Sequence, residues 1–487
     1  MDAEALGAIA PHRPGGGSPA DVDCPSSGHS LERRPVPCKL RLLVVSTVSA
    51  AIVLLGGSDA HAVPSFARQT GIACGECHNP FPELTSFGRA FKLHGYTMGG
   101  MEELQEPGGE KTPPLEINAV FPLSVMLQTS LTRTDTQQRG TQNGNVEFPQ
   151  QLSLFLAGEI THHVGTFLQA TYTGRDDHFT LDNTDVRYAN QMMMGSGELA
   201  YGVTANNNPT LEDLWNSTPA FSFPFAPPDS APTPAAAALI DGTLAQQVAG
   251  LGGYARWNRR LYGDVTIYRS ARIGSPQPPT AAAGNNIKDV APYWRFAWSQ
   301  DWGLNNLEVG TLGLYAELFP NAVSGSTDKF TDVAFDSQYE RWIANELITA
   351  HAIYIFENQS LNATHASGNS SNRSDRLHTF RLDGIVHWSG RLTFSLGYFL
   401  IHGSSDQALY SPKSVTDDPA QVTGSINGRP NSDGLVSEIT YKPWQNVRLS
   451  AGYTAYSEFN GRSHNYNGAG RDASDNNTLF LLAWLMY

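Results

Sequence analysis

The sequence is short of cysteine. It has four in 487 residues, and Cys24 and Cys38 precede an apolar run that reads as an export signal. The exported chain then keeps only Cys74 and Cys77, which excludes a disulfide framework. Charge is also scarce. Asp, Glu, Lys and Arg make up 16% of residues, against roughly 25% in a typical soluble domain. The charge present is mostly acidic, giving a net −14, which argues against a nucleic-acid partner. Long apolar runs are lacking too. Leu42 to Leu55 has about the length of a signal peptide and is too short for a comfortable membrane span. With no spanning helix, the chain can cross a membrane only as a closed barrel.

Basic residues Arg33, Arg34, Lys39 and Arg41 flank that run, and Ala60-His61-Ala62 comes after it. This is the order of a secretory signal with an A-x-A cleavage site, so the mature chain is expected to begin at Val63. Residues 1–30 are rich in Pro, Gly and Ser, unlike a signal n-region, which points to a translation start further along.

Eleven residues after Val63 stands Cys74-Gly75-Glu76-Cys77-His78. This is the attachment motif of c-type haem. Two thiols two residues apart reach two vinyl groups on one porphyrin edge, and the adjacent histidine becomes the proximal iron ligand. The competing readings are a thioredoxin-like redox pair, which would need a βαβ context, and half a zinc site, which would need further Cys or His at ligand spacing. Pro80 and Pro82 suit the first turn of a helix. Leu84, Phe87, Phe91 and His94 recur at helical spacing and could cover one haem face. For the distal ligand the nearby candidates are His94, Met98 and Met101, with methionine raising the potential and histidine lowering it. A barrel histidine reaching in from the lumen, or no protein ligand, are the other options. Only about fifty residues separate Val63 from Leu115, and so short a chain buries too little surface to wrap a haem alone. The chain beyond Leu115 must supply the missing walls.

From residue 115 onward the pattern has period two. Val447, Leu449, Ala451 and Tyr453 alternate with Arg448, Ser450 and Gly452, and Trp294, Phe296 and Trp298 alternate with Arg295 and Ser299. Phe380, Leu382, Val386 and Trp388 alternate with Arg381, Asp383 and His387, and Val333 and Phe335 with Asp332 and Asp336. Each strand has one apolar and one polar face, as between lipid and a wet lumen. Short connections fall near 163–164, 191–195, 258–261, 301–305, 343–345, 389–391 and 443–446. Longer polar loops fall near 133–145, 174–180, 206–246, 272–290, 320–329, 359–376, 403–432 and 460–476. Seven short turns alternating with eight long loops imply sixteen strands. An even number of strands, with both termini on the short-turn side, is the bacterial outer-membrane pattern. The chain closes on alternating Leu479, Leu481, Ala483, Leu485 and Tyr487, a final strand of the kind that outer-membrane assembly reads. The expected fold is therefore all-β: an antiparallel barrel of about sixteen strands, preceded by a short, mostly helical haem segment that plugs or caps the lumen. Its expected parts are 1–62 (extension and signal), 63–113 (haem segment) and 114–487 (barrel).

Val63-Pro64-Ser65-Phe66-Ala67-Arg68-Gln69-Thr70-Gly71, the Cys-x-x-Cys-His, Pro82-Glu83-Leu84-Thr85, Phe87-Gly88-Arg89, Phe91-Lys92 and Gly95-Tyr96 together resemble the outer-membrane cytochrome–porin fusions. These include the outer-membrane iron oxidases of iron-oxidising bacteria. Asn206-Asn207-Asn208-Pro209-Thr210 and Trp215-Asn216-Ser217-Thr218-Pro219-Ala220 are similar to segments of the same proteins. The resemblance implies a single haem c attached at Cys74 and Cys77 and ligated by His78. It implies electron transfer from an extracellular donor, ferrous iron in the characterised branch, to a periplasmic c-type cytochrome or copper protein. At position 94 this sequence departs from the family pattern, where a non-ligating polar residue is usual.

An electron conduit needs its redox centre inside the barrel, because tunnelling falls steeply with distance across the hydrocarbon band, about 25 Å tall. Luminal Arg295, Asp332, Asp336, Arg381, Asp383 and Arg448 would solvate the plug and tune the potential. Acidic loop residues such as Asp176 and Asp177 could attract a cation. The competing functions are a diffusion porin with a haem-bearing structural plug, a conduit for a non-iron donor, and outward electron flow.

Overall fold

The computed structural model describes residues 64–99, 103–106, 108, 115–118, 121–174, 177–271, 285–411 and 422–487. The export signal with its cleavage site, Met101 and Asp176 lie outside the described residues. Sixteen long antiparallel strands form the body. The first seven are β1 (Leu123–Thr134), β2 (Asn145–Thr161), β3 (Val164–Thr173), β4 (His178–Met194), β5 (Gly197–Asn206), β6 (Val248–Trp257) and β7 (Leu261–Ser270). Then come β8 (Ala291–Trp302), β9 (Asn305–Pro320), β10 (Asp328–Ile343), β11 (Glu346–Ser360) and β12 (Ser374–Trp388). The last are β13 (Leu392–Gly403), β14 (Ser432–Trp444), β15 (Val447–Glu458) and β16 (Thr478–Met486). Each pairs with its neighbours in sequence, and β16 pairs with β1 from Thr478↔Thr134 to Met486↔Met126, which closes the barrel. A three-residue strand, Asn285–Ile287, extends the edge of β9.

The seven short turns and eight long loops fall where the alternation of pattern puts them. Two boundaries differ. Leu115–Asn118 is not a barrel strand; it pairs with Glu103–Glu106 in a separate two-stranded ribbon, and the barrel begins at Leu123. Many strands are also longer than ten residues, up to 17 in β2 and β4.

The outer surface is apolar, with Val265, Ile267, Phe296, Phe335, Leu382, Leu396 and Ile439 exposed. Trp257, Trp302, Trp342 and Trp388 stand exposed at the short-turn ends of their strands. A closed barrel with an apolar outer band, an aromatic girdle and short turns at one end is a porin-like bacterial outer-membrane barrel, with the short turns on the periplasmic side.

The lumen is not the wet, uniformly polar channel expected from alternation. Segment 207–247, between β5 and β6, folds inward. Its Ala236, Ala238, Leu239, Ile240 and Leu244 pack against inward-facing Tyr268, Tyr293, Leu312, Leu314, Leu318, Ile353 and Ile355. A second internal body comes from the amino-terminal segment: helices α1 (Pro64–Thr70), α2 (Cys74–Cys77) and α3 (Ser86–Leu93).

Candidate functional site

The α2 turn carries both thiols. Cys74 is buried and its amide donates to Gln445 Oε1 (2.9 Å) in the last short turn of the barrel. At His78 the backbone leaves the helical turn for an extended conformation, and its amide bonds back to the Cys74 carbonyl (2.9 Å). The chain then folds back on itself, so that the Thr85 amide reaches the Cys77 carbonyl (3.0 Å). Thr85 caps α3 by accepting from the Gly88 amide (3.2 Å). The helix therefore starts at Ser86 rather than at the prolines; Pro80 and Pro82 lie in the preceding turn. Gly88 is required by close approach, since a Cβ there would lie 2.3 Å from the Cys77 carbonyl oxygen.

This segment is held to the barrel near its short-turn ends. Arg89 makes a bidentate ion pair with Glu340 (2.7 and 2.9 Å). Tyr96 donates to Asp185 Oδ2 (2.6 Å), Lys442 donates to the Asn79 carbonyl (2.5 Å), and Arg448 donates to the Phe81 carbonyl (2.5 Å). The His387 ring lies 3.3 Å from the Glu83 carboxylate. The two segments singled out by resemblance also meet each other. Lys92 donates to the carbonyls of Leu211 and Asp213 (3.0 Å to the latter), and the Leu84 amide donates to Asn216 Oδ1 (2.9 Å). Behind them stand two buried charge networks. Arg187 bridges Asp185 and Glu212 (2.7 and 2.8 Å). Arg295 gathers Asp336, Asp213 and Glu308 (2.8, 2.9 and 3.2 Å). Of the luminal residues expected to solvate the plug, Arg295, Asp332, Asp336, Asp383 and Arg448 are buried among protein partners, and Arg381 pairs with Asp241 (2.9 Å).

Between the amino-terminal segment, segment 207–247 and the wall formed by β16 and β1–β4 lies a cavity of ≈ 330 Å³, partly open to solvent. Cys74, Cys77 and His78 all line it. Its apolar walls are Phe66, Phe81, Phe91, Phe155, Phe167 and Trp484. Its polar edge is Gln128, Gln150, Gln169, Asp182 and Asn183, the last two near the long-loop start of β4. The cavity thus runs from the short-turn end, where α2 is anchored, towards the long loops.

These residues fit a covalent haem. Two thiols and an imidazole share one face of a roomy cleft whose walls are aromatic and whose far edge is amide-rich, suiting a macrocycle with an apolar body and carboxylate tails. The His78 Nδ1 lies 3.3 Å from the Pro82 carbonyl. With the proton on Nδ1, Nε2 keeps the lone pair that a metal takes, as in most histidine–metal sites. Burial also pushes the His78 imidazole down to about 4, so it is neutral at pH 7, the ligating form. Among the described residues, no three His, Cys, Asp or Glu are grouped to hold a bare metal ion.

Of the expected distal ligands, none among the described residues is brought to this cavity. His94 turns away from it: Nδ1 lies 2.7 Å from the Ala90 carbonyl and Nε2 3.1 Å from Gln191 Oε1. Met98 is absent from the lining, as is Phe87, while Leu84 and Phe91 are present. Asp177 accepts from Tyr172 (2.7 Å) outside the site. The sequence pattern missed the apolar inner face of β16, where Phe480, Leu482, Trp484 and Met486 are all buried. The signal was available in Thr478–Met486, which is apolar at both alternations although a barrel strand facing water inside would not be.

No family model and no curated protein matches the chain. Among solved structures it is similar to the anion-selective porin from Comamonas acidovorans (10% identity, TM-score 0.44, covering 75% of this chain and 98% of that one). It is also similar to the outer membrane channel DcaP of Acinetobacter baumannii (11%, 0.42, 75% and 96%) and to OmpT of Vibrio cholerae (10%, 0.40, 79% and 100%).

Proposed function

We propose that this porin-like barrel is an outer-membrane electron-transfer cytochrome with one haem c, attached through Cys74 and Cys77 and ligated by His78. It passes electrons from an extracellular donor, ferrous iron first among them, to periplasmic c-type cytochromes or copper proteins. The observation that carries this reading is the position of the Cys-x-x-Cys-His turn. It faces a cavity inside a closed barrel, and that cavity runs towards the long-loop side. When bound, haem supplies a one-electron centre. The chain's own residues do the rest. Gln445, Lys442 and Arg448 anchor the turn at the periplasmic end. Phe81, Phe155, Phe167 and Trp484 keep water from the cleft. Asp182, on the cavity's polar edge, puts a carboxylate on the side from which a cationic donor would come. Segment 207–247 fills the opposite part of the lumen, which counts against free diffusion of solutes.

The test is to purify the protein with its haem and mix it with ferrous iron in a stopped-flow spectrometer at several pH values. Reduction within seconds supports the proposal. A haem that stays oxidised while the protein conducts ions in liposomes would replace it with the plugged-porin reading. A low potential, with electrons leaving readily to outside acceptors, would reverse the direction.

A further inference from the structure

Eight methionines occur in the chain, and two of them face each other across the seam that closes the barrel. Met126 of β1 and Met486 of β16 are register partners. Both point inward, both are nearly fully buried (3% and 4% exposed), and both line the cavity that holds Cys74, Cys77 and His78. They belong to the same apolar cluster as Cys74, Phe81 and Trp484.

The other cavity-lining groups able to ligate iron are committed elsewhere. Lys92 Nζ is held by two carbonyls. Tyr96 donates to Asp185. Asp213 is taken by Arg295 and by the amides of Trp215, Ser217 and Thr218. Asp182 accepts from Thr171, the Asn183 amide and Gln246, and Asp229 too has a partner of its own. The thioethers are soft, neutral donors that need no counter-charge in an apolar cleft. Of the pair, Met126 has its sulfur positioned: Gln128 Nε2 lies 3.7 Å from Sδ, and Gln128 itself lines the cavity. That contact holds the thioether beside the cavity.

We propose that Met126 Sδ, from the barrel wall rather than from the haem segment, is the distal ligand of the haem iron. The proposal rests on the haem reading of the Cys-x-x-Cys-His turn. It makes the barrel part of the redox centre, since β1 then contributes directly to the potential. A thioether ligand raises that potential relative to a second histidine, in the direction needed to accept electrons from a weak reductant.

The test uses purified full-length holoprotein of the wild type and of Met126→Ala, Met126→His and Met486→Ala. Pyridine haemochrome spectra of denatured samples report covalent haem. The sulfur-to-iron charge-transfer band of the ferric protein and the upfield methionine methyl resonance of the ferrous protein report the ligand. We expect both signatures in the wild type and in M486A, and neither in M126A. M126A should also bind added imidazole at least tenfold more tightly than the wild type. M126H should restore a six-coordinate low-spin spectrum at a lower potential. Signatures that survive in M126A, that vanish in M486A instead, or that are missing from a haem-loaded wild type would overturn the assignment to Met126 and leave the covalent haem intact. A wild type without covalent haem would overturn the haem reading itself.

Discussion

The two sides of the lumen are built on opposite plans. On the side of β8–β12, inward-facing residues are matched by an internal partner. Arg295 has three carboxylates around it, Leu239 and Ile240 donate their amides to Glu357 (2.6 Å) and Asp332 (2.7 Å), and Leu312, Leu314 and Ile355 meet the apolar run of segment 207–247. On the side of β16 and β1–β4, the inward residues are aromatic rings, methionines and amides, and protein leaves a cleft in front of them. Well-packed interiors leave few voids larger than a water molecule. The filled side is packed scaffold, and the open side carries the cleft that the proposed haem would occupy.

The comparison is broken most severely by removing a thiol on the open side. Cys77→Ala should leave little or no haem attached after denaturation, read by haem staining on gels, while the barrel still assembles. Full retention of stain would contradict the site assignment. Next in size is a change on the filled side. Arg295→Met leaves Asp213, Glu308 and Asp336 as buried carboxylates without their common cation, and should cost about 3–5 kcal/mol. Urea unfolding in detergent, monitored by tryptophan fluorescence, should give the same loss with and without haem. Phe155→Leu, on the open side, should cost the apoprotein only about 1 kcal/mol but shift the haem spectrum. If both substitutions behaved alike in apo- and holoprotein, the division into scaffold and site would fall. Gly88→Ala is expected to be smaller in stability but visible in haem yield, because the new Cβ displaces the Cys77 carbonyl and with it the spacing of α2 against α3. Unchanged haem content in G88A would show that the close approach relaxes harmlessly.

Legibility in the residues divides along similar lines. Strands and turns are local matters of period two and breaker residues, so turns fall at Asn258 to Arg260 and Ser389 to Arg391 as expected, and the one expected near 163–164 falls at His162-His163. The Cys-x-x-Cys-His spacing needs no fold to be read. What escaped was the content of the lumen, because whether a long loop folds in or out is decided by distant partners. Glu212 is two residues past the Thr210 of a recognisable segment, yet nothing near it in sequence announces Arg187 of β4 as its partner. Alternation assigned Arg295 and Asp336 to the inner face correctly but could not tell water from an ion-pair network there. The apolar stretch Ala235 to Ile240, inside a long loop, was the one local hint that this loop is buried. Spacing around the motif offers only neighbours such as His94 and Met98, whereas the cavity is completed by β1 and β16, at opposite ends of the barrel sequence.

The smallest effect, and a discriminating one, concerns His94. Its ring sits beyond the end of α3, between the Ala90 carbonyl and Gln191 of β4 (2.7 and 3.1 Å). There it completes the helix terminus and fastens it to the wall. Two hydrogen bonds of this kind, one of them at a partly exposed site, contribute on the order of 1 kcal/mol in net terms. His94→Ala should therefore lower the unfolding midpoint slightly and leave the haem spectrum and potential unchanged. The histidine lies on the amino-terminal segment, near the motif, so sequence proximity favours it as an iron ligand while the geometry of the ring opposes it. A ligand loss would convert the ferric spectrum outright, an effect that no modest stability change could imitate. A converted spectrum in H94A would mean that α3 turns over when haem is attached, and that the open side of the lumen is finished by the plug rather than by the barrel.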